Sequence, residues 1–211
     1  MEIKKIKFSL PILTLALIAY APAALSQSGS SVYDGDWPVY TANFAGQRYS
    51  PLDQINAENV GDLEIAWRFS TENFGPSTDF NNPSTPIEVD GILYANIAST
   101  RNVAAIDAST GQVLWLWRYE EGDRFDQEPR KGPGRGVAFW RDGNNSRVID
   151  VSPGYQLISL DAKTGIPDPN FGDSGIVDLY LGLRNADDPR YPYPDIGISA
   201  PHFVMNDVIV V

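Results

Sequence analysis

The chain has 211 residues, a formal net charge of −11, no cysteine and a single histidine. That acidic balance argues against nucleic acid and anionic membranes as partners. The lack of cysteine rules out a disulfide framework and leaves core packing to stabilise the fold, which suits a large β architecture better than a small secreted module.

Residues 1–26 differ from the rest. Lys4, Lys5 and Lys7 form a basic start, and Phe8 to Tyr20 is an apolar stretch broken only by Ser9, Pro11 and Thr14. Ala24-Leu25-Ser26 places small residues at −3 and −1, so the pattern predicts a signal peptide cleaved before Gln27. A membrane anchor is the alternative, but about 13 residues fall short of the roughly 20 that span a bilayer. Export to a bacterial periplasm is the expected location. About 185 residues then remain, with a charge of −13 because three Lys and one Glu leave with the leader. Asn144-Asn145-Ser146 fits a glycosylation acceptor, which matters only on a eukaryotic route.

Residues 27–36, rich in Ser, Gly and Asp, read as a flexible lead-in. Trp37 to Tyr49 carries aromatic residues between Gly and Asn. Pro51 to Val60 predicts a short helix or turn, and Leu63 to Ser70 a strand containing Trp67-Arg68-Phe69. Ile87 to Tyr94 is a hairpin around Asp90-Gly91, a strong short-range hairpin signal. Val103 to Tyr119 turns at Thr110-Gly111. Arg147 to Asp161 is followed by Thr164-Gly165, and Phe203 to Val211 begins a further hairpin at Asn206-Asp207. Residues 72–84, 120–136 and 166–198 read as long Pro- and Gly-rich loops. The chain stops within an apolar β-like run, so an N-terminal fragment truncated in a strand is expected.

One pattern recurs. Ala105-Ile106-Asp107-Ala108-Ser109-Thr110-Gly111 ends in Trp115, and Ser159-Leu160-Asp161-Ala162-Lys163-Thr164-Gly165 repeats its front half. In each, Asp can hydrogen-bond the turn backbone and Gly supplies a positive φ. Asp107 and Asp161 are 54 residues apart, a spacing that fits one four-stranded blade per repeat. A β-propeller whose long loops build one face is the expected fold, with a β-sandwich as the alternative.

Trp37-Pro38-Val39-Tyr40 followed by Gly46 to Asn56 resembles the opening of the pyrroloquinoline quinone (PQQ)-dependent dehydrogenases. Thr85 to Tyr94 is similar to their first hairpin, and residues 105–115 to their tryptophan-docking motif. Gly134-Arg135-Gly136-Val137-Ala138-Phe139-Trp140 resembles their arginine segment, and Ile198-Ser199-Ala200-Pro201 a later strand start. The resemblance runs from about residue 35 to 211. It implies an all-β, eight-bladed propeller of four-stranded antiparallel sheets, of which residues 37–211 supply about three blades. Trp67 and Trp115 would then pack between blades, with their N–H groups on backbone acceptors.

The same resemblance implies oxidation of an alcohol or sugar hydroxyl with PQQ and Ca²⁺. It makes Arg135 a cofactor ligand, since a guanidinium can meet one of the three PQQ carboxylates with two charge-assisted bonds. The glycines beside Arg135 would leave room for a flat ring. A surface arginine in a flexible loop is the alternative. Ser199 stands where the family directs a hydroxyl at the cofactor, though a strand-start serine capping a turn is equally compatible. Pro83 occupies a position where the family has a hydrogen-bonding side chain, so that contact is missing or moves to Asn82. Glu128-Pro129-Arg130 replaces the family's adjacent-cysteine disulfide, which points away from the methanol-oxidising members. His202 receives no role, and Asp195 and Glu128 are not read as metal ligands or bases. The Ca²⁺ ligands and the catalytic Asp are expected beyond residue 211, so no catalytic or metal residue is assigned and residues 27–211 alone are expected to be inactive.

The expected activity is that of a periplasmic quinoprotein dehydrogenase. It would transfer hydride from a sugar or alcohol to PQQ and pass electrons to ubiquinone or a cytochrome. The alternative is a non-enzymatic periplasmic propeller acting as an outer-membrane assembly scaffold, which would keep the tryptophan-docking turns without needing Arg135.

Overall fold

Strands that follow one another in sequence pair in that same order, and this rule builds the molecule twice. The computed structural model describes residues 35–75 and 81–211, so the expected leader and most of the lead-in lie outside the described residues. Strands β1 (Ile87–Val89), β2 (Ile92–Ile97), β3 (Asn102–Asp107) and β4 (Val113–Trp117) form one antiparallel sheet in the order β1-β2-β3-β4. A helical turn, α1 (Asp123–Gln127), follows. Strands β5 (Ala138–Asp142), β6 (Asn145–Val151), β7 (Gln156–Asp161) and β8 (Ile176–Asp178) form the second sheet in the order β5-β6-β7-β8. The hairpin β9 (Phe203–Met205) and β10 (Val208–Val210) opens a third unit, and β9 packs on β5.

The turns obey their residues. Asp90 and Gly91 have φ of 53° and 79° between the paired Val89 and Ile92, the two-residue hairpin geometry matched to strand twist. Asn206 and Asp207, with φ of 49° and 61°, do the same between β9 and β10.

Burial follows strand position. Every residue of β3 from Asn102 to Ile106 is buried, as a strand covered on both faces requires. In β4, Val113, Trp115 and Trp117 face inward while Leu114 and Leu116 are exposed, the period-2 alternation of a one-sided strand. One core cluster joins the two sheets through Ile87, Tyr94, Val103, Val148, Ile158 and Leu160. A second lies between the first sheet and Trp67, Phe69 and Phe74. The third joins the second sheet to Ile198, Val204 and Ile209.

The tryptophans stitch these layers together. Trp115 of the first sheet donates from Nε1 to the Ala162 carbonyl of the second, at 3.0 Å. Tyr94 Oη donates to the same carbonyl at 3.3 Å, using its other lone pair. Trp67 donates to the Ala108 carbonyl at 3.0 Å. Each indole lies against a docking-turn glycine. A Cβ on Gly111 would stand 2.6 Å from Trp67, and one on Gly165 would stand 2.5 Å from Trp115.

The structure departs from the sequence expectations in three places, at residues 63–70, 120–136 and 166–198. Residues 63–70 are not a strand, because no neighbour among the described residues completes a ladder with them. Pro51 to Val60, expected as a short helix or turn, is a series of side-chain-capped turns leading into a single 3₁₀ turn, Val60–Asp62. The loop at 120–136 contains α1, whose Arg124 forms a two-pronged ion pair with Asp178 at 2.7 and 2.6 Å. The loop at 166–198 contains β8, which is three residues long and carries too little pattern to be read alone.

Candidate functional site

The loops that lead into β1, β5 and β9 hold the three residues expected at a cofactor. Asn82 precedes β1, Arg135 precedes β5 and Ser199 precedes β9, so successive units present them at equivalent topological positions. All three side chains are exposed.

The first two loops are tied together by backbone. The Thr85 N–H donates to the Arg135 carbonyl at 3.1 Å. Gly136, at φ 134°, lies so close that a Cβ would sit 2.7 Å from the Thr85 carbonyl oxygen. On the other side of Arg135, a Cβ on Gly134 would sit 2.9 Å from Asn96 Oδ1. The glycines flanking Arg135 allow close approach of protein to protein.

Arg135 also reaches the N-terminal segment. Trp37 exchanges two backbone hydrogen bonds with Glu88 of β1, each 2.9 Å, which holds residues 37–40 beside these loops. The Arg135 side chain, and after it Thr85, hold the Tyr40 hydroxyl below its ordinary pKa against the opposing effect of burial. Arg48 stacks over the Tyr40 ring with its guanidinium carbon 5.6 Å from the centroid. Arg124, Arg141, Arg147 and Arg190 each have a carboxylate partner. Arg48 and Arg135 have none among the described residues. Two uncompensated cations beside a tyrosine hydroxyl make a positive corner in an acidic chain.

Asn82 Oδ1 accepts from the Ser84 N–H at 3.1 Å, a local turn that leaves its amide NH₂ to other partners. The Ser199 hydroxyl has no hydrogen-bond partner among the described residues, and no bond joins it to Arg135. Both loops instead converge on Arg101, which sequence reasoning missed. This side chain is buried and donates to the carbonyls of Arg130, Gly132, Val151 and Ile198.

A buried polar group lies behind Arg101. Asn96 Nδ2 donates to Asp150 Oδ2 at 2.8 Å. Complete burial pushes the Asp150 carboxyl up to about 7, against the opposing pull of Arg101. His202 Nε2 donates to the Ile149 carbonyl at 2.8 Å, and burial pulls its pKa down to about 4. The imidazole is thus neutral at pH 7, and its 3.6 Å approach to Asp150 is a contact and not an ion pair. A lone Asp within Val148-Ile149-Asp150-Val151 is a sequence signal that could have revealed this cluster. Arg101, in the ordinary polar turn Ser99-Thr100-Arg101-Asn102, offers none.

Glu128 is buried, with Oε1 accepting from the Arg130 N–H and Oε2 without a partner, and burial raises its pKa. Asp195 is exposed. Among the described residues no three His, Asp or Glu side chains converge where a metal ion could sit.

The profile of the PQQ family "Glucose/ethanol/alcohol dehydrogenase, beta-propeller domain" matches residues 37–211. The chain belongs to this family. It is 37% identical over 143 residues to the dehydrogenase subunit of the quinone alcohol dehydrogenase of Gluconobacter oxydans (strain 621H), covering 67% of this chain and 18% of that protein. It is 32% identical over 190 residues to the quinoprotein glucose dehydrogenase of the same organism, covering 79% of this chain and 21% of that one. Among solved structures, the quinohemoprotein alcohol dehydrogenase of Comamonas testosteroni superposes with a TM-score of 0.60 at 30% identity, over 82% of this chain and 22% of the other. The chain thus spans about a fifth of the length of these relatives. In this quinoprotein family the two complete sheets and the third hairpin are successive blades of a β-propeller, and the Trp115–Ala162 bond fastens the first to the second.

Proposed function

We propose that this chain is part of a periplasmic quinoprotein dehydrogenase. The enzyme oxidises an alcohol or sugar hydroxyl with PQQ and Ca²⁺ and hands electrons to ubiquinone or a cytochrome. The observation that carries this reading is Arg135: an exposed guanidinium without a carboxylate partner, on a blade-entry loop of a chain that belongs to the family.

The donor set fits a planar ligand with three carboxylates. Arg135 can meet one carboxylate with two parallel N–H bonds, and the charge-assisted pair is stronger than neutral hydrogen bonds. Arg135 lowers the pKa of the neighbouring Tyr40 hydroxyl, so the positive corner extends to residue 40. Ser199 can donate its hydroxyl hydrogen, and Asn82 its free NH₂, to further carboxylate oxygens. When bound, PQQ supplies the hydride acceptor and Ca²⁺ a Lewis acid beside it. This chain's residues bind and orient the acceptor. The groups that take the substrate proton and ligate the metal belong to the remaining length of an eight-bladed enzyme.

The test is reconstitution of the full-length protein with PQQ and Ca²⁺, followed by dye reduction with glucose and with simple alcohols. Quinone binding with turnover is the expected result. Absence of both overturns the reading and favours a non-enzymatic propeller.

A further inference from the structure

Arg101 is 5% exposed and ends the β2–β3 turn with φ 50°. Its Nε donates to the Gly132 carbonyl at 3.0 Å, and Nη1 to Val151 at 3.3 Å. Nη2 donates to Arg130 at 3.0 Å and to Ile198 at 2.9 Å. All four acceptors are backbone carbonyls, and they belong to three separate segments. Arg130 and Gly132 lie on the loop that reaches Arg135, Val151 ends β6, and Ile198 immediately precedes Ser199. The Gly132 N–H returns a bond to the Ser99 carbonyl at 3.2 Å, and Gly134 backs onto the Arg101 stem. Burial lowers the Arg101 pKa, and the nearby Asp150, Glu128 and Glu121 counter part of that cost.

A planar fork of N–H groups suits this task. It can hold carbonyls arriving from several directions in one plane, whereas a lysine ammonium offers three donors from a single point. The bonds fix main chain, so they fix where the neighbouring side chains begin.

We propose that Arg101 is a positioning residue of the cofactor site: by clamping the loops before Arg135 and Ser199 to one guanidinium, it sets the spacing at which those two side chains meet an anionic planar ligand. This rests on the reading that Arg135 and Ser199 contact PQQ. The clamp joins blade-entry loops from two successive units through a side chain that belongs to a third, earlier sheet and that never touches the ligand.

The experiment uses the full-length protein and its R101K variant. Quenching of tryptophan fluorescence gives the PQQ dissociation constant, and hydrogen–deuterium exchange follows residues 130–136 and 196–200 in the absence of cofactor. R101K is expected to weaken PQQ binding at least about tenfold and to speed exchange in both segments together, with β3 and β4 unchanged. In an R135Q background the R101K loss should shrink to about twofold, because an effect transmitted through Arg135 disappears with it. Should R101K fail to fold, G134A is the milder probe. Gly134 has no positive φ, and the new methyl would press on the Arg101 stem and Asn96. Faster exchange at 196–200 with weaker PQQ binding is then expected. Wild-type affinity in the folded variant, or losses that multiply fully in the double variant, overturn the proposal. If the unaltered protein binds no PQQ, the functional reading fails and Arg101 loses its role toward the cofactor, even where both segments still loosen together in R101K.

Discussion

The docking turns and the blade-entry loops solve the same problem, holding irregular backbone still, by opposite means. At each docking turn a single carboxylate oxygen gathers its neighbours. Asp107 Oδ1 accepts from the N–H of Ser109 and Thr110 at 3.0 and 2.8 Å, and from both hydroxyls. Asp161 repeats this with Lys163 and Thr164. Everything lies within three residues of the Asp. The blade-entry loops have no such local code, and Arg101 holds carbonyls from 29 to 97 residues away. The first arrangement can be copied from blade to blade. The second is built once, where units meet and a ligand must be fitted.

The largest expected effect breaks the docking turn at its inter-blade contact. Gly91 and Gly165 have φ of 79° and 70°, but an added Cβ meets nothing within 4 Å at Gly91 and Trp115 at 2.5 Å at Gly165. Gly91→Ala isolates the cost of left-handed backbone, about 1 kcal/mol. Gly165→Ala adds displacement of a packed indole, for a total of about 4 kcal/mol. Denaturant unfolding of both variants measures the difference. Equal losses would show that Trp115 is not held by its turn.

The next effect lies behind the loops. Burial raises the Asp150 pKa to about 7, above its unfolded value of about 3.9. The folded state therefore holds this proton more tightly than the unfolded chain. The resulting stability is full below about pH 4 and is lost as pH rises through about 7. His202, lowered to about 4, works the other way: its contribution is full above about pH 6.5 and is lost as pH falls toward 4. Above pH 6.5 the Asp150 effect stands alone. Asp150→Asn should therefore gain stability relative to the parent between pH 5 and 8, by on the order of 3 kcal/mol. Parallel pH profiles for the two proteins would place the charge elsewhere.

What was legible in the sequence follows the same division. Asp107, Thr110, Gly111 and Trp115 announce the blade because each acts on neighbours at fixed short spacings, and the repeat at Asp161 shows that the spacing is meant. The hairpins at Asp90-Gly91 and Asn206-Asp207 were equally readable, since positive φ is a local demand. Arg135, Ser199 and Asn82 could be singled out only through resemblance to a family, and the structure sets them on equivalent loops without a bond between Arg135 and Ser199. Arg101 was not readable at all, and Tyr40 was readable only as part of the opening motif, without its contact to Arg135. The acceptors of Arg101 lie 29 to 97 residues away, and Arg135 is as far from Tyr40 in the chain, so no short spacing signals either contact.

Arg135→Gln tests the blade-entry side in binding. Loss of a charge-assisted pair should weaken PQQ affinity by about 2 kcal/mol, or about thirtyfold. Because Arg135 is exposed and has no carboxylate partner among the described residues, its removal should leave thermal unfolding nearly unchanged without cofactor. Titration of the full-length protein with PQQ, paired with melting of the apo form, separates the two readouts. A fall in apo stability with unchanged affinity would make Arg135 a structural residue.

The smallest effect is expected at Asp107, although its side chain accepts four hydrogen bonds. Hydrogen bonds from Ser109 and then Thr110 hold its carboxyl below the usual range, so its contribution is present above the unfolded pKa of about 3.9 and fades as pH falls through the lower folded value. The carboxylate is exposed, and water can replace each donor's partner when it is removed. Asp107→Asn keeps one acceptor oxygen for the same N–H groups and should be close to neutral. Asp107→Ala should lower the melting temperature slightly, and by less at pH 3 than at pH 7. Trp67 adds a second readout, because its indole donates to the Ala108 carbonyl within the same turn. If the turn is only a local device, Trp67 fluorescence is unchanged in Asp107→Ala. A red shift would show that the aspartate also sets the position of the inter-blade acceptor, and the local code would then extend to blade packing.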